Sequence, residues 1–140
     1  MGSTLNCSRS LVKHSSGGVK AERMSRPLIV YVDVDETLVR NYGTSRIPIP
    51  RVIEQVRLLK AENAVMYCWS SGGAEYAQTS ARDLGLEDCF VGFLAKPTVY
   101  LDDQAFSDWR SLLHVLPANC GGLSATDLED QLKLARSEPK

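Results

Sequence analysis

The chain has 140 residues, a formal net charge of −1, and apolar and charged fractions of 44% and 24%. That leaves room for one domain with a modest core, and no apolar run is long enough to span a bilayer as a helix. There is no basic surplus of the kind that marks nucleic-acid binders and no acidic tail. The N-terminus lacks the apolar core of a secretory signal. Met1-Gly2 opens like a myristoylation signal, but Asn6 stands where Ser or Thr is required. Cys7, Cys68, Cys89 and Cys120 are scattered, with no C-x-x-C pair. The expected setting is reducing and cytoplasmic.

Residues 1–25 are rich in Ser, Gly and Lys and show no hydrophobic periodicity. They are expected to form a disordered leader, with residues 26–140 as a single domain. Met24 would suit a start just ahead of the first strand, and His14 in the leader carries no catalytic weight. The run Leu28-Ile29-Val30-Tyr31-Val32 then ends in Asp33-Val34-Asp35-Glu36-Thr37-Leu38-Val39. An apolar β-branched run of that length reads as a buried strand of a parallel sheet. Ligand sites of open α/β sheets lie beyond the carboxyl ends of the strands, so Asp33 and Asp35 fall where such a sheet does chemistry. A strand that simply stops at an acidic turn is the plain structural alternative.

Arg40 to Pro50 reads as a loop, broken by Gly43, Pro48 and Pro50. Pro50 suits the first turn of a helix running to about Lys60, with Val52, Val56 and Leu59 on one face and Asn63 as a left-handed stop. Ala64 to Trp69 is a second buried strand, followed by Ser70-Ser71-Gly72-Gly73 and a helix from about Ala74 to Leu84, which Gly85 ends. Strand, glycine turn and helix aim N–H groups and the positive helix end at an anion. Taken alone, a Ser/Gly turn that only caps a helix explains the same residues. Phe90 to Leu94 is a third short strand, Lys96-Pro97 follows, and Val99-Tyr100-Leu101 is a fourth strand ending in Asp102-Asp103. Phe106 to Leu116 reads as a helix, which Asp102-Asp103 could cap and within which His114 would pack. Trp69 and Trp109 read as core or rim residues. Thr126 is expected to cap a last helix through about Ala135.

Strands alternating with helices predict a parallel sheet with right-handed crossovers. Such a sheet delivers Asp33/Asp35, Ser70/Ser71 and Asp102/Asp103 to one edge, with Lys96 near. Converging carboxylates repel one another, and a divalent cation relieves the conflict; hard oxygen ligands suit Mg²⁺. With a lysine and hydroxyl or N–H donors alongside, the cluster reads as a phosphoryl-group site. One aspartate can act as nucleophile and a second as acid and base. Arg40, Arg46 and Arg51 are candidates to grip a phosphate, although arginines are mostly solvated.

Asp33-Val34-Asp35-Glu36-Thr37-Leu38-Val39 resembles the first motif, D-x-D-x-T-(L/V), of the haloacid dehalogenase-like (HAD) hydrolase superfamily. Ser70/Ser71 resembles its second motif, Lys96 its third and Asp102-Asp103 its fourth, in the family's order. The resemblance covers roughly residues 27–109. It implies a Rossmann-like three-layer sandwich around a central parallel sheet. Asp33 would be nucleophile and Mg²⁺ ligand. Asp35 would be the general acid and base and bind the metal through its backbone carbonyl. Ser70, or Ser71 as the rival, would hydrogen-bond the phosphoryl group, and Lys96 would balance its charge. Asp102, with Asp103 beside it, would complete the Mg²⁺ site. The spacing leaves no room for a cap domain, so the chain resembles a small capless phosphatase-type member. In many relatives a helix separates the lysine from the final Asp pair; here Lys96 lies just before it. The expected activity is Mg²⁺-dependent hydrolysis of a phosphomonoester, on a small molecule or a macromolecule end. The alternatives are a non-catalytic domain that binds a phosphorylated ligand or acts as a scaffold, and a polynucleotide 3′-phosphatase, against which the charge argues mildly. The sequence leaves the substrate and the oligomeric state open.

Overall fold

The computed structural model describes residues 26–138. The leader expected over residues 1–25, with Cys7 and His14, lies outside them. The chain runs β1 (Ile29–Asp33), β2 (Val39–Tyr42), β3 (Ser45–Pro48), α1 (Pro50–Ala61), β4 (Val65–Ser70), α2 (Ala74–Asp83), β5 (Gly92–Ala95) and α3 (Ala125–Ser137). The fold is mixed α/β: β1, β4 and β5 form a parallel sheet with β4 central, and β2 and β3 form a separate antiparallel hairpin. No helix among the described residues is long and apolar enough to cross a membrane.

The core is built on one face of the sheet. Side chains alternate along a strand, and Val32, Met66 and Cys68 point to the face that also buries Val52, Val56 and Leu59 of α1 and Ala77 and Ala81 of α2. The two helices occupy one face because each crossover moves one strand over in the same direction and with the same hand. The opposite face carries Tyr31, Tyr67 and Trp69 in mutual ring contact, with centroids 5.2 and 4.8 Å apart. Tyr31 there is 45% exposed and Ile29 62%. A helical layer over that face, which a three-layer sandwich requires, is not formed among the described residues.

Several local expectations hold. Pro50 opens α1 after the extended Ile49, and Asn63, at φ +67°, follows the end of α1. Gly85, at φ +74°, follows the end of α2. Others are corrected. The stretch expected to be loop between Arg40 and Pro50 contains the β2–β3 hairpin. Gly43, at φ +61°, takes the first place of its two-residue turn, where a II′ turn wants glycine. Val99-Tyr100-Leu101 forms no strand, and Leu101 is 97% exposed. Phe106 to Leu116 forms only a single 3₁₀ turn at Phe106–Asp108, where Phe106 stacks on Tyr100 and meets the Trp109 ring edge to face. The segment divides its apolar residues between this aromatic cluster and the main core, which Leu113 and Val115 join, so they do not form the continuous face that would dock a helix. His114 is accordingly exposed instead of packed. The last helix begins one residue ahead of Thr126. Ser124 caps it, accepting from Asp127 N at 3.0 Å while Asp127 accepts from Ser124 N at 2.9 Å.

Candidate functional site

Parallel pairing sets Asp33 beside Trp69 and Ser70 beside Ala95, so β1, β4 and β5 end at one edge. Lys96 N donates to Ser70 O at 3.0 Å, carrying the β4–β5 ladder one step further. Lys96 therefore sits at the carboxyl end of β5. Its side chain crosses the Trp69 ring, with Nζ 5.7 Å from the centroid, and reaches Asp33 Oδ1 at 3.3 Å. Strand spacing of about 4.8 Å puts β5 two steps from β1, a gap that a lysine stem helps to bridge.

Beyond Asp33 the chain turns tightly. Thr37 N and Leu38 N both donate to Val34 O, at 3.2 and 2.8 Å, and Glu36 takes φ +61°. Burial of Val34 and Leu38 anchors this turn, leaving Asp33 and Asp35 half-buried at the edge. Thr37 Oγ1 points to Asp33 Oδ2 at 3.5 Å, the outer limit of a hydrogen bond.

Asp35 is the better-held carboxylate. Asn41 Nδ2 donates to its Oδ1 at 3.0 Å, and the Tyr76 hydroxyl donates to the same oxygen at 2.8 Å. The Asn41 bond is the main cause that holds the Asp35 carboxyl below its ordinary value; partial burial opposes it, and Tyr76, Arg46 and Lys96 assist. Burial, then the bond to Asp35, push the Tyr76 phenol up, so it remains a donor. Arg46 closes the group, with its guanidinium 5.3 Å from the Tyr76 centroid and Nη2 donating to Ser80 Oγ at 2.9 Å.

The two serines divide. Ser70 is 1% exposed, and its Oγ accepts from Gly72 N at 2.9 Å. Ser71 is exposed in the turn ahead of α2. Gly73 N donates to Ser70 O at 3.1 Å. Ser70 thus shapes the turn, and Ser71 is the hydroxyl that faces solvent. Asp102 and Asp103 are both exposed, and Asp102 Oδ1 accepts from Gln104 N at 2.9 Å. Among the described residues no group of three or more His, Cys, Asp or Glu side chains gathers as a metal site, so the final Asp pair is not brought to Asp33 and Asp35.

Asp33, Asp35 and Lys96 are the expected residues that meet. Asn41 and Tyr76 were not singled out from sequence, and Arg46 was one of three arginines named. Gly43 between two short β-rich runs was the signal for the hairpin that delivers Asn41 and Arg46. Tyr76 lies on a helix face with nothing in its spacing to distinguish it from a packing residue.

No curated protein and no solved structure matched the chain. A family model matches residues 7–98, a span that holds Asp33, Asp35, Ser70, Ser71 and Lys96 and stops short of Asp102. It covers well over half of the sequence, and the chain therefore belongs to the family described as "Protein of unknown function (DUF705)".

Proposed function

We propose that this protein is a capless HAD-like phosphatase that hydrolyses a phosphomonoester through an aspartyl-phosphate on Asp33. The observation that carries the reading is the meeting of Asp33, at the end of β1, with Lys96, just past the end of β5, Nζ to Oδ1 3.3 Å, with Asp35 two residues further on. An ammonium against a carboxylate at a sheet's carboxyl edge suits a group that receives and releases a dianion. Asp33 attacks phosphorus, and the P–O bond to the leaving alcohol breaks. Water, deprotonated by Asp35, then attacks phosphorus and frees Asp33 and inorganic phosphate.

The depressed carboxyl keeps Asp35 ionised, the form that the base half of this cycle needs. The acid half, which protonates the leaving oxygen, matters least for a phenol, which leaves readily as its anion. The oxygens present also fit Mg²⁺, which keeps several waters and takes one or two carboxylates plus phosphate oxygens. The Asp33 carboxylate and the Asp35 backbone carbonyl would hold it. Bound there, the ion neutralises phosphoryl charge.

The test is hydrolysis of an aryl phosphate with and without Mg²⁺ by wild type, Asp33→Asn and Asp35→Asn. Wild type turns over only with Mg²⁺, and Asp33→Asn is inactive. Asp35→Asn releases about one equivalent of phenol in a burst and then stalls, because the acyl phosphate lacks its base. Activity surviving in Asp33→Asn removes the mechanism. Absence of turnover with retained binding of a phosphonate assigns a phospho-ligand binding domain instead.

A further inference from the structure

The hairpin after Asp35 brings to this edge a cation, Arg46, that forms no direct ion pair among the described residues. Asn41 and Arg46 are directly opposite each other on β2 and β3, so their side chains leave the same face of the ribbon. Asn41 reaches Asp35 and Arg46 reaches α2. There the guanidinium lies over the ring of Tyr76, which itself bonds Asp35, and is tied to Ser80, a residue only 1% exposed. Arg46 is thus fixed at two points beside Asp35. Most arginine rotamer freedom has been lost already, before any ligand arrives.

The other candidate arginines are engaged elsewhere. Arg40 leans to Glu36 at 3.9 Å, and the aliphatic stem of Arg51 lies against Gly121. Arg46 forms no ion pair among the described residues. A guanidinium has five N–H donors in a rigid fork, and Ser80 takes one of them. The rest form a preorganised anion receptor, and a phosphate matches the fork bidentately. Lys96 already serves the group at Asp33 from the β5 side, whereas Arg46 comes from the hairpin side by way of Tyr76 and Asp35.

We propose that Arg46 binds a second phosphate of the substrate, so that the preferred ligand is a phosphomonoester bearing another phosphate and not the ester of an uncharged alcohol. The inference takes from the phosphatase reading only that the first phosphate sits at Asp33; the Arg46 subsite itself requires no turnover.

Calorimetric titration with two non-hydrolysable probes, propane-1,3-bisphosphonate and propylphosphonate, both with Mg²⁺, tests it. Wild type should bind the bisphosphonate at least about tenfold more tightly, the size expected of a charged hydrogen-bonded contact. Arg46→Gln keeps an N–H donor for Ser80 but loses the charge. It should reduce that ratio to about the twofold expected from having two equivalent ends. Ser80→Ala, which frees the guanidinium without removing it, should lower the ratio several-fold, and circular dichroism checks that each variant folds. A wild-type ratio near two, or an unchanged ratio in folded Arg46→Gln or Ser80→Ala, overturns the proposal. An Arg46-dependent ratio without any aryl phosphate turnover would remove the phosphatase reading and leave the subsite standing. Turnover with an Arg46-independent ratio would do the reverse.

Discussion

Asp33 and Asp35 are two residues apart and live in different electrostatic surroundings. Asp33 faces an ammonium, and Asp35 faces two neutral donors that converge on one oxygen. Neutral donors that bond a carboxylate favour its charged form, which is why Asn41 leads the causes that lower Asp35. Asn41→Ala should therefore raise the Asp35 midpoint toward the ordinary carboxylate value, as read by carboxyl ¹³C NMR titration. The linked stability has a definite sign. A depressed folded value stabilises the protein above the unfolded carboxylate range, and that contribution is lost as pH falls through the folded value. Asn41→Ala should consequently flatten the acid side of the stability profile. Cys68 shows the opposite case: burial, aided by nearby Asp33, pushes its thiol up to about 12. A thiol in that state is poorly nucleophilic, so Cys68 serves packing.

At the scale of elements, the turn between β4 and α2 joins two parts of the site. Ser70 closes it from below, and Gly72 lies between Ser70 and Tyr76. A Cβ at Gly72 would stand 3.0 Å from Tyr76 Cδ2 and 3.4 Å from Ser70 Oγ. A Cβ there would crowd the Tyr76 ring, which approaches the turn closely as it presents its hydroxyl to Asp35. Gly72→Ala should push the ring off, lowering aryl phosphate turnover several-fold, with a thermal midpoint within about 4 °C of wild type, the shift that 1 kcal/mol causes in a domain of this size. Full activity in Gly72→Ala would mean that Tyr76 does not help to set Asp35. The hairpin contributes in the same way: its register places Asn41 and Arg46 side by side, and a slip of one residue would turn both away from the site.

For the molecule as a whole, stability comes from one side of the sheet. Leu38, Met66 and Leu86 are fully buried in a core that joins the β1 turn, β4 and both crossover helices. Met66→Ala should cost about 2–5 kcal/mol in urea denaturation, from lost transfer energy plus the cavity left behind. That is a large share of the roughly 5–15 kcal/mol that holds a domain folded. Leu101→Ser, at a residue 97% exposed, should stay within about 0.5 kcal/mol of wild type. A cost as large as that of Met66→Ala would show that Leu101 is buried in solution. The C-terminal helix packs Leu128 into the core, and polar contacts tie its start to α1: Gln55 Nε2 donates to Leu123 O at 2.5 Å, and Glu62 Oε1 accepts from Ala125 N at 2.6 Å.

The sequence by itself determined what local chemistry dictates. Apolar β-branched runs became β1 and β4, Pro50 and Asn63 bounded α1, Gly85 ended α2, and Asp33 and Asp35 fell at a strand end because a parallel sheet must finish there. Tertiary structure decided what depends on distant partners. Val99-Tyr100-Leu101 has strand composition, but a strand needs a neighbour to pair with, and composition does not supply one. Its residues stayed exposed, and Asp102-Asp103 form no metal-ligating group with Asp33 and Asp35 among the described residues. Lys96 met Asp33 because β5, and not Val99–Leu101, is the strand that places it. Asn41, Arg46 and Tyr76 joined the site through hairpin register and helix packing, long-range contacts that leave no periodic trace in the chain.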